Sequence, residues 1–201
     1  LSLNPSGYPM YTNSRGTWVT TNAGDWTSGF FPGSLWYAYE LTGNTSWLSK
    51  AQTWTAGLAS QQYNTSTHDV GFMIGRSYIN GHRLTGRADY RNVLLNAAGS
   101  VAQRYNPTVG CIRALGDKDA TTGEFLVGLD TMANLDLLLY AARHGGSPAW
   151  RNMVISHALR TAQELIRPDG STIHTVYFDT ATGQVLRKGT YQGYSDDSTW
   201  T

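Results

Sequence analysis

The chain has 201 residues, enough for one domain with a sizeable core and too few to assume two. Only 14% of them are charged, against about 25% in an average globular protein, while seven Trp and twelve Tyr suit a surface that stacks flat apolar faces against a ligand, sugar foremost. Fifteen Lys and Arg against fourteen Asp and Glu, with no basic run, argue against nucleic acid, and no apolar run approaches the ~18 residues of a membrane span.

In chain order, the first helical periodicity follows "DWTSGF" and carries Leu35 and Tyr39 before stopping at Gly43 in "ELTGNTSWL" (40–48). A second helix, with Leu48, Ala51, Trp54 and Leu58, follows that glycine. The same sequence of events recurs around Gly86 in "RLTGRADYR" (83–91) and around Gly146 in "RHGGSPAWR" (143–151). Glycine is the usual residue just past a helix end, so three ordinary helix ends would account for it. The shared aromatic four residues later, Trp47, Tyr90 and Trp150, favours a true repeat of three helical hairpins. Counting back sixteen or seventeen residues from each glycine reaches Trp26, Asp69 and Asp130, which the repeat would place at equivalent helix N-termini.

After Pro168 the pattern changes. "RPDGS" reads as a turn, "STIHTVYF" (171–178) alternates as a strand, "DTATG" turns again and "QVLRKGT" returns, which predicts a β-hairpin near 171–190. "YQGYSDDSTWT" then reads as the start of another helix with Asp196, Asp197 and Ser198 as capping candidates. No linker rich in Pro or Ser marks a domain boundary. The single Cys111 excludes an internal disulfide and a Cys-based zinc site. It does not set the compartment, for which the cytoplasm is slightly favoured.

Three groups could carry chemistry. In "VGLDTMANLDLLLYAA" a continuous helix would put Asp130 on one face with Asn134, Leu137, Leu138 and Ala141, and Asp136 elsewhere with Leu129 and Met132. An aspartate on such a face is partly desolvated, which raises its pKa and suits a general acid, although an N-cap would use the same residue. In "THDVGF" (67–72), Asp69 is either a second carboxylate or the cap of a helix beginning at Gly71, with His68 bonded to a carbonyl in the latter case. Paired carboxylates recur in sugar chemistry. His174 shares a predicted strand face with Thr172, Val176 and Phe178, where a lone histidine is more often structural. A metal site from His68, Asp69, Asp130 and His174 is the weaker reading, since no two-His helical spacing supports it, and no metal or other cofactor is expected.

"DWTSGFFPGSLWYAYELTG", "HDVGF", "LDTMANL", "RPDGSTIHTVYFDTATG" and "GTYQGYSDDSTW" together resemble glycoside hydrolase family 88, the unsaturated glucuronyl hydrolases, in order from about residue 25 to the last. The resemblance implies an all-α fold, the (α/α)6 toroid of the six-hairpin glycosidases. It also implies removal of a C4=C5 unsaturated glucuronic acid from the non-reducing end of lyase-generated oligosaccharides, by hydration of an enol ether double bond. Carried across motif by motif, Asp130 is the acid and base and Asp69 the second essential carboxylate, with His68 beside it. His174 and Gln192 match positions that contact the unsaturated ring, Trp26 an aromatic that lines the pocket, and Trp200 another motif near the site.

Two departures stand out. "IRALGD" carries Leu115 where the family often has Trp, and the sequence stops at "DDSTWT" where the family continues. The expectation is therefore a single domain, 1–201, C-terminally truncated to about the first half of the toroid. An open half-barrel exposes apolar inner faces, so self-association is expected with it. Two rivals differ in substrate or activity: an unsaturated rhamnogalacturonyl hydrolase on the same fold, and an inactive sugar-binding fragment. A metal-dependent phosphohydrolase built on His68 and Asp69 is the third.

Overall fold

The structure, a computed structural model, describes residues 7–190, 192, 194 and 195. They fall into two units. The first takes in the described residues up to Asn64 together with Asp69–Ser100; the second takes in Thr65–His68 and the described residues from Val101 onward.

The first unit opens with an antiparallel hairpin, β1 (Tyr8–Thr12) and β2 (Trp18–Thr21), that the hydrophobic periodicity did not announce. Asp25 then accepts a hydrogen bond from the Thr27 amide at 2.8 Å and starts a 3₁₀ turn, Trp26–Gly29, leading into α1 (Phe30–Thr42). Gly43, at φ 65°, ends α1 in the left-handed conformation, and Asn44 caps α2 (Thr45–Ala56) through the Ser46 amide at 2.9 Å. The pair is the first expected hairpin. Its buried seam is polar only where a partner exists: the Trp36 indole donates to the Thr55 hydroxyl at 2.9 Å, and the Tyr8 hydroxyl donates to the Trp54 carbonyl at 3.0 Å.

The helix preceding Gly86 is wider than predicted. Gly71–Ile79 is π-helical and passes into α3 (Asn80–Thr85), which ends at Gly86, φ 66°. Its backbone lies against α1 and the turn before it because Gly29 and Gly33 lack side chains: a Cβ on Gly29 would meet the Phe72 and Met73 carbonyls, and one on Gly33 would stand 2.9 Å from the Arg76 carbonyl. Helix α4 (Ala88–Ala102) completes the second hairpin, with Tyr90 packed edge-on against Trp36 and Tyr78.

In the second unit a short ladder, β3 (Tyr105–Asn106) with β4 (Cys111–Ile112), precedes β5 (Glu124–Gly128). The chain continues through α5 (Thr131–Asn134), α6 (Asp136–Arg143) and α7 (Ala149–Leu165) to β6 (Thr175–Asp179) and β7 (Val185–Gly189). The hairpin predicted near 171–190 is present as β6 and β7, but β5 joins it to make a three-stranded antiparallel sheet in the order β5-β6-β7. Val109, Cys111, Phe125, Val127, Leu165, Val176 and Phe178 form the core beneath it. Arg187 on β7 grips the Glu124 carboxylate with two contacts of 2.8 Å.

Two expectations are corrected here. The helix after Asp130 is not continuous, because Leu135 separates α5 from α6. At the third hairpin the left-handed glycine is Gly145, φ 98°, one residue before the predicted Gly146. The reason is the packing of Trp150, whose ring occupies the space a Cβ on Gly146 would need, while the Gly146 amide reaches back to the Ala141 carbonyl at 2.9 Å.

Candidate active site

The residues singled out in the sequence are distributed over both units. Trp26 and Asp69 belong to the first; His68, Asp130 and His174 belong to the second. Gln192 is an exposed bend, and Trp200, with Asp196, Asp197 and Ser198, lies outside the described residues.

In the first unit Trp26 keeps half its surface exposed and forms an aromatic cluster with Phe30 and Phe72, at ring separations of 6.0 Å and 5.9 Å. Phe30 and Phe72 are 5.4 Å apart, and the Arg76 guanidinium stands 5.7 Å from the Phe72 ring. Neither phenylalanine was singled out in the sequence. The signal for Phe30 was its spacing four residues after Trp26, the separation that stacks side chains on one helical face. Asp69 starts the wide helix through its backbone, its carbonyl accepting from the Phe72 amide at 2.8 Å and the Met73 amide at 2.9 Å.

In the second unit His68 is buried and fixed at several points. Its amide donates to the Ala114 carbonyl at 3.1 Å, and its Nδ1 stands 2.9 Å from the Thr131 hydroxyl. The Ala114 carbonyl is shared with Arg104, a buried cation whose guanidinium also donates to the carbonyls of Thr65 (2.5 Å), Arg113 (2.8 Å) and Gly116 (3.1 Å). These charge-assisted hydrogen bonds to carbonyls hold the Thr65–His68 segment in place.

Asp130 follows β5 directly. The Leu129 amide donates to the His174 carbonyl at 2.9 Å, continuing the β5 and β6 pairing by one more bond, and the chain then turns into α5. The Asp130 carbonyl accepts from the Ala133 amide at 3.0 Å, but its carboxylate makes no cap hydrogen bond. Instead Oδ2 lies 3.6 Å from His68 Nε2, and Oδ1 occupies the space beside Gly128 that a Cβ there would fill. The Asp130 side chain is 49% exposed, at the head of a face on which Asn134, Leu137, Leu138 and Ala141 are buried. The expected place of His174 is corrected. It precedes β6 instead of lying within it, and its backbone serves the sheet.

A second buried imidazole, His157 on α7, accepts from the Ile112 amide at Nδ1, 3.0 Å away. Burial, reinforced by His68, pushes its pKa down to about 4, so it is neutral, with its ring proton on Nε2. The Cys111 thiol, also buried, is pushed up to about 12 by desolvation and is no nucleophile. Leu115 is partly exposed. This unit therefore holds a solvent-reachable carboxylate beside a buried imidazole, an arrangement able to hold a proton and pass it to a bound molecule.

No family model matches the chain. An unsaturated glucuronyl hydrolase from Formosa agariphila is 40% identical over 179 residues, covering 88% of this chain and 44% of its own length. The crystal structure of an unsaturated glucuronyl hydrolase specific for heparin is 37% identical with a TM-score of 0.91, over 98% of this chain and 52% of that one. The structure of an unsaturated glucuronyl hydrolase responsible for the degradation of glycosaminoglycan, from Bacillus sp. GL1, is 33% identical with a TM-score of 0.89, over 97% and 52%. The chain thus spans about half the length of the relatives it matches. Its fold class is that of their (α/α)6 toroid, in part.

Proposed function

Because the chain belongs to the unsaturated glucuronyl hydrolases, glycoside hydrolase family 88, we propose that it carries the acid of a reaction hydrating the C4=C5 double bond of an unsaturated uronyl oligosaccharide. The observation that supports this best is the state of Asp130: half exposed, not spent on capping the helix it begins, and 3.6 Å from a buried imidazole. An aspartate kept only for local structure would turn its oxygens to the free amides of α5.

The unsaturated ring is an enol ether. Asp130 gives its proton to C4, and the positive charge that develops is shared between C5 and the ring oxygen. Water adds at C5 and returns a proton to the Asp130 carboxylate, so one water is consumed and the acid is restored. The hemiketal formed at C5 opens to a ketone and leaves a hemiacetal at C1, which collapses to an aldehyde and releases the remaining sugar with its hydroxyl. Asp69 is the second carboxylate, Trp26 the apolar face on which a sugar ring stacks, and His174 and Gln192 contacts to the unsaturated uronic acid. Trp200 belongs to the same proposal. A relative specific for heparin and one that degrades glycosaminoglycan point to glycosaminoglycan disaccharides as the first substrates to test.

The test is loss of the alkene's ultraviolet absorbance with unsaturated heparin, chondroitin and hyaluronan disaccharides. Loss is expected for the parent and not for Asp130→Asn, with binding retained. An Asp130→Asn variant turning over near the parent rate would show that another group is the acid.

A further inference from the structure

Thr131 lies next to the candidate acid in sequence, and the side chains of both reach the same third residue. Its hydroxyl, wholly buried, stands 2.9 Å from His68 Nδ1, while the other ring nitrogen of His68 stands 3.6 Å from Asp130 Oδ2. The two adjacent residues therefore hold opposite ends of one imidazole. From this geometry we infer that Thr131 and His68 are positioning residues, which set His68 as its Nε2–H tautomer, engage Oδ2 of Asp130 and leave Oδ1 to exchange the proton with substrate.

The chemistry follows from what each partner can offer. A neutral imidazole has one N–H and one lone pair, and the partner of one nitrogen decides the role of the other. A hydroxyl can donate or accept, so Thr131 adapts to whichever form the other end requires. The other end is Oδ2 of Asp130, an acceptor both in the carboxylate and when the proton sits on Oδ1, so the ring proton belongs on Nε2 and the Thr131 hydroxyl donates to Nδ1. The 3.6 Å separation exceeds a hydrogen bond by roughly half an ångström, a closure that carboxylate rotation supplies as substrate binds. Oδ1 instead sits against Gly128, within the space a side chain there would need. The two oxygens thus have unlike surroundings, and the outward transfer of the proton falls to Oδ1.

The catalytic part of this inference rests on the proposed hydratase reading; the tautomer does not. The protein carries five histidines, and selective ¹⁵N labelling of their rings reports the tautomer and hydrogen bonding of each. His157 serves as an internal standard, since the Ile112 amide fixes its Nε2–H form. The parent is expected to show His68 protonated on Nε2; a parent protonated on Nδ1 overturns the inference. In Thr131→Val the Nδ1 resonance of His68 should move toward that of an unbonded ring nitrogen while His157 stays in place, and Thr131→Ser should restore it. In Asp130→Ala the Nε2 resonance of His68 should move; no movement in either variant overturns the pairing. Thr131→Val should also lower kcat about tenfold with KM little changed, and Thr131→Ser should recover it. An unchanged kcat overturns the positioning role. A parent without turnover overturns the hydratase reading instead, and the ring resonances still decide the pairing.

Discussion

The carboxylate of Asp130 crowds the space that any side chain on Gly128 would need, with Oδ1 too close to tolerate a Cβ there. What must yield to a larger residue there is the end of a side chain, not the backbone. Gly128 does not have a positive φ, so alanine fits its conformation. Gly128→Ala is therefore expected to fold with a melting temperature near the parent's and to swing the Asp130 carboxylate aside. Turnover of an unsaturated disaccharide should fall by roughly tenfold to a hundredfold. A variant that keeps its rate would show that the position of Oδ1 is unimportant.

Gly29 presents the opposite case. A Cβ there would run into the carbonyls of Phe72 and Met73, which belong to the π-helical backbone and cannot rotate away. Gly29→Ala should cost about 2 kcal/mol or more, read as a lower urea midpoint, because the helix must shift as a body. Comparing the two alanine variants separates a glycine kept for packing from one kept for the carboxylate.

Arg104 donates to four carbonyls from a buried position, and one of them, that of Ala114, also receives the His68 amide. Arg104→Met keeps much of the volume and strands those acceptors. A loss on the order of 3 kcal/mol is expected in chemical unfolding. Faster hydrogen exchange at the His68 amide should accompany it, since its acceptor loses the neighbour that fixes it.

His157 makes stability depend on pH. Its folded pKa of about 4 lies below the ordinary 6.5, so as pH falls through 6.5 the unfolded chain takes up a proton that the folded chain refuses. The stabilisation is complete above 6.5 and is lost between 6.5 and 4, by on the order of 3 kcal/mol over the whole window. Urea midpoints at pH 7, 6 and 5 should decline for the parent. In His157→Gln, which keeps an acceptor for the Ile112 amide, the decline over that range should flatten.

Much of the helical framework was readable because its signals are local. Gly43 and Gly86 end their helices in the left-handed conformation, as the periodicity before them predicted, since a helix end requires only that the next residue tolerate a positive φ. The third end shifted to Gly145 because Trp150 packs over Gly146, and that choice between adjacent glycines depends on the ring's placement. The hairpin of β6 and β7 was likewise legible from its turn, but β5 was not. Five residues with a weak alternation acquire their identity only by pairing Glu124 with Asp179, far along the chain.

The sequence by itself determined the helical periodicities, the stops between them, the neutral and aromatic character of the chain, and the motifs whose order marks the family. The tertiary structure alone decided what surrounds the candidate acid. His68 and Thr131 are 63 residues apart, and nothing within a helical turn of either announces that the two will meet at 2.9 Å. The exposure of Asp130 is set in the same way: the residues that follow it at helical spacing, Asn134, Leu137 and Leu138, are buried, while Asp130 itself stands half exposed at the head of that face. Periodicity is set by the backbone geometry of a few neighbouring residues, whereas burial and hydrogen-bond partners are set by distant segments competing for the same space.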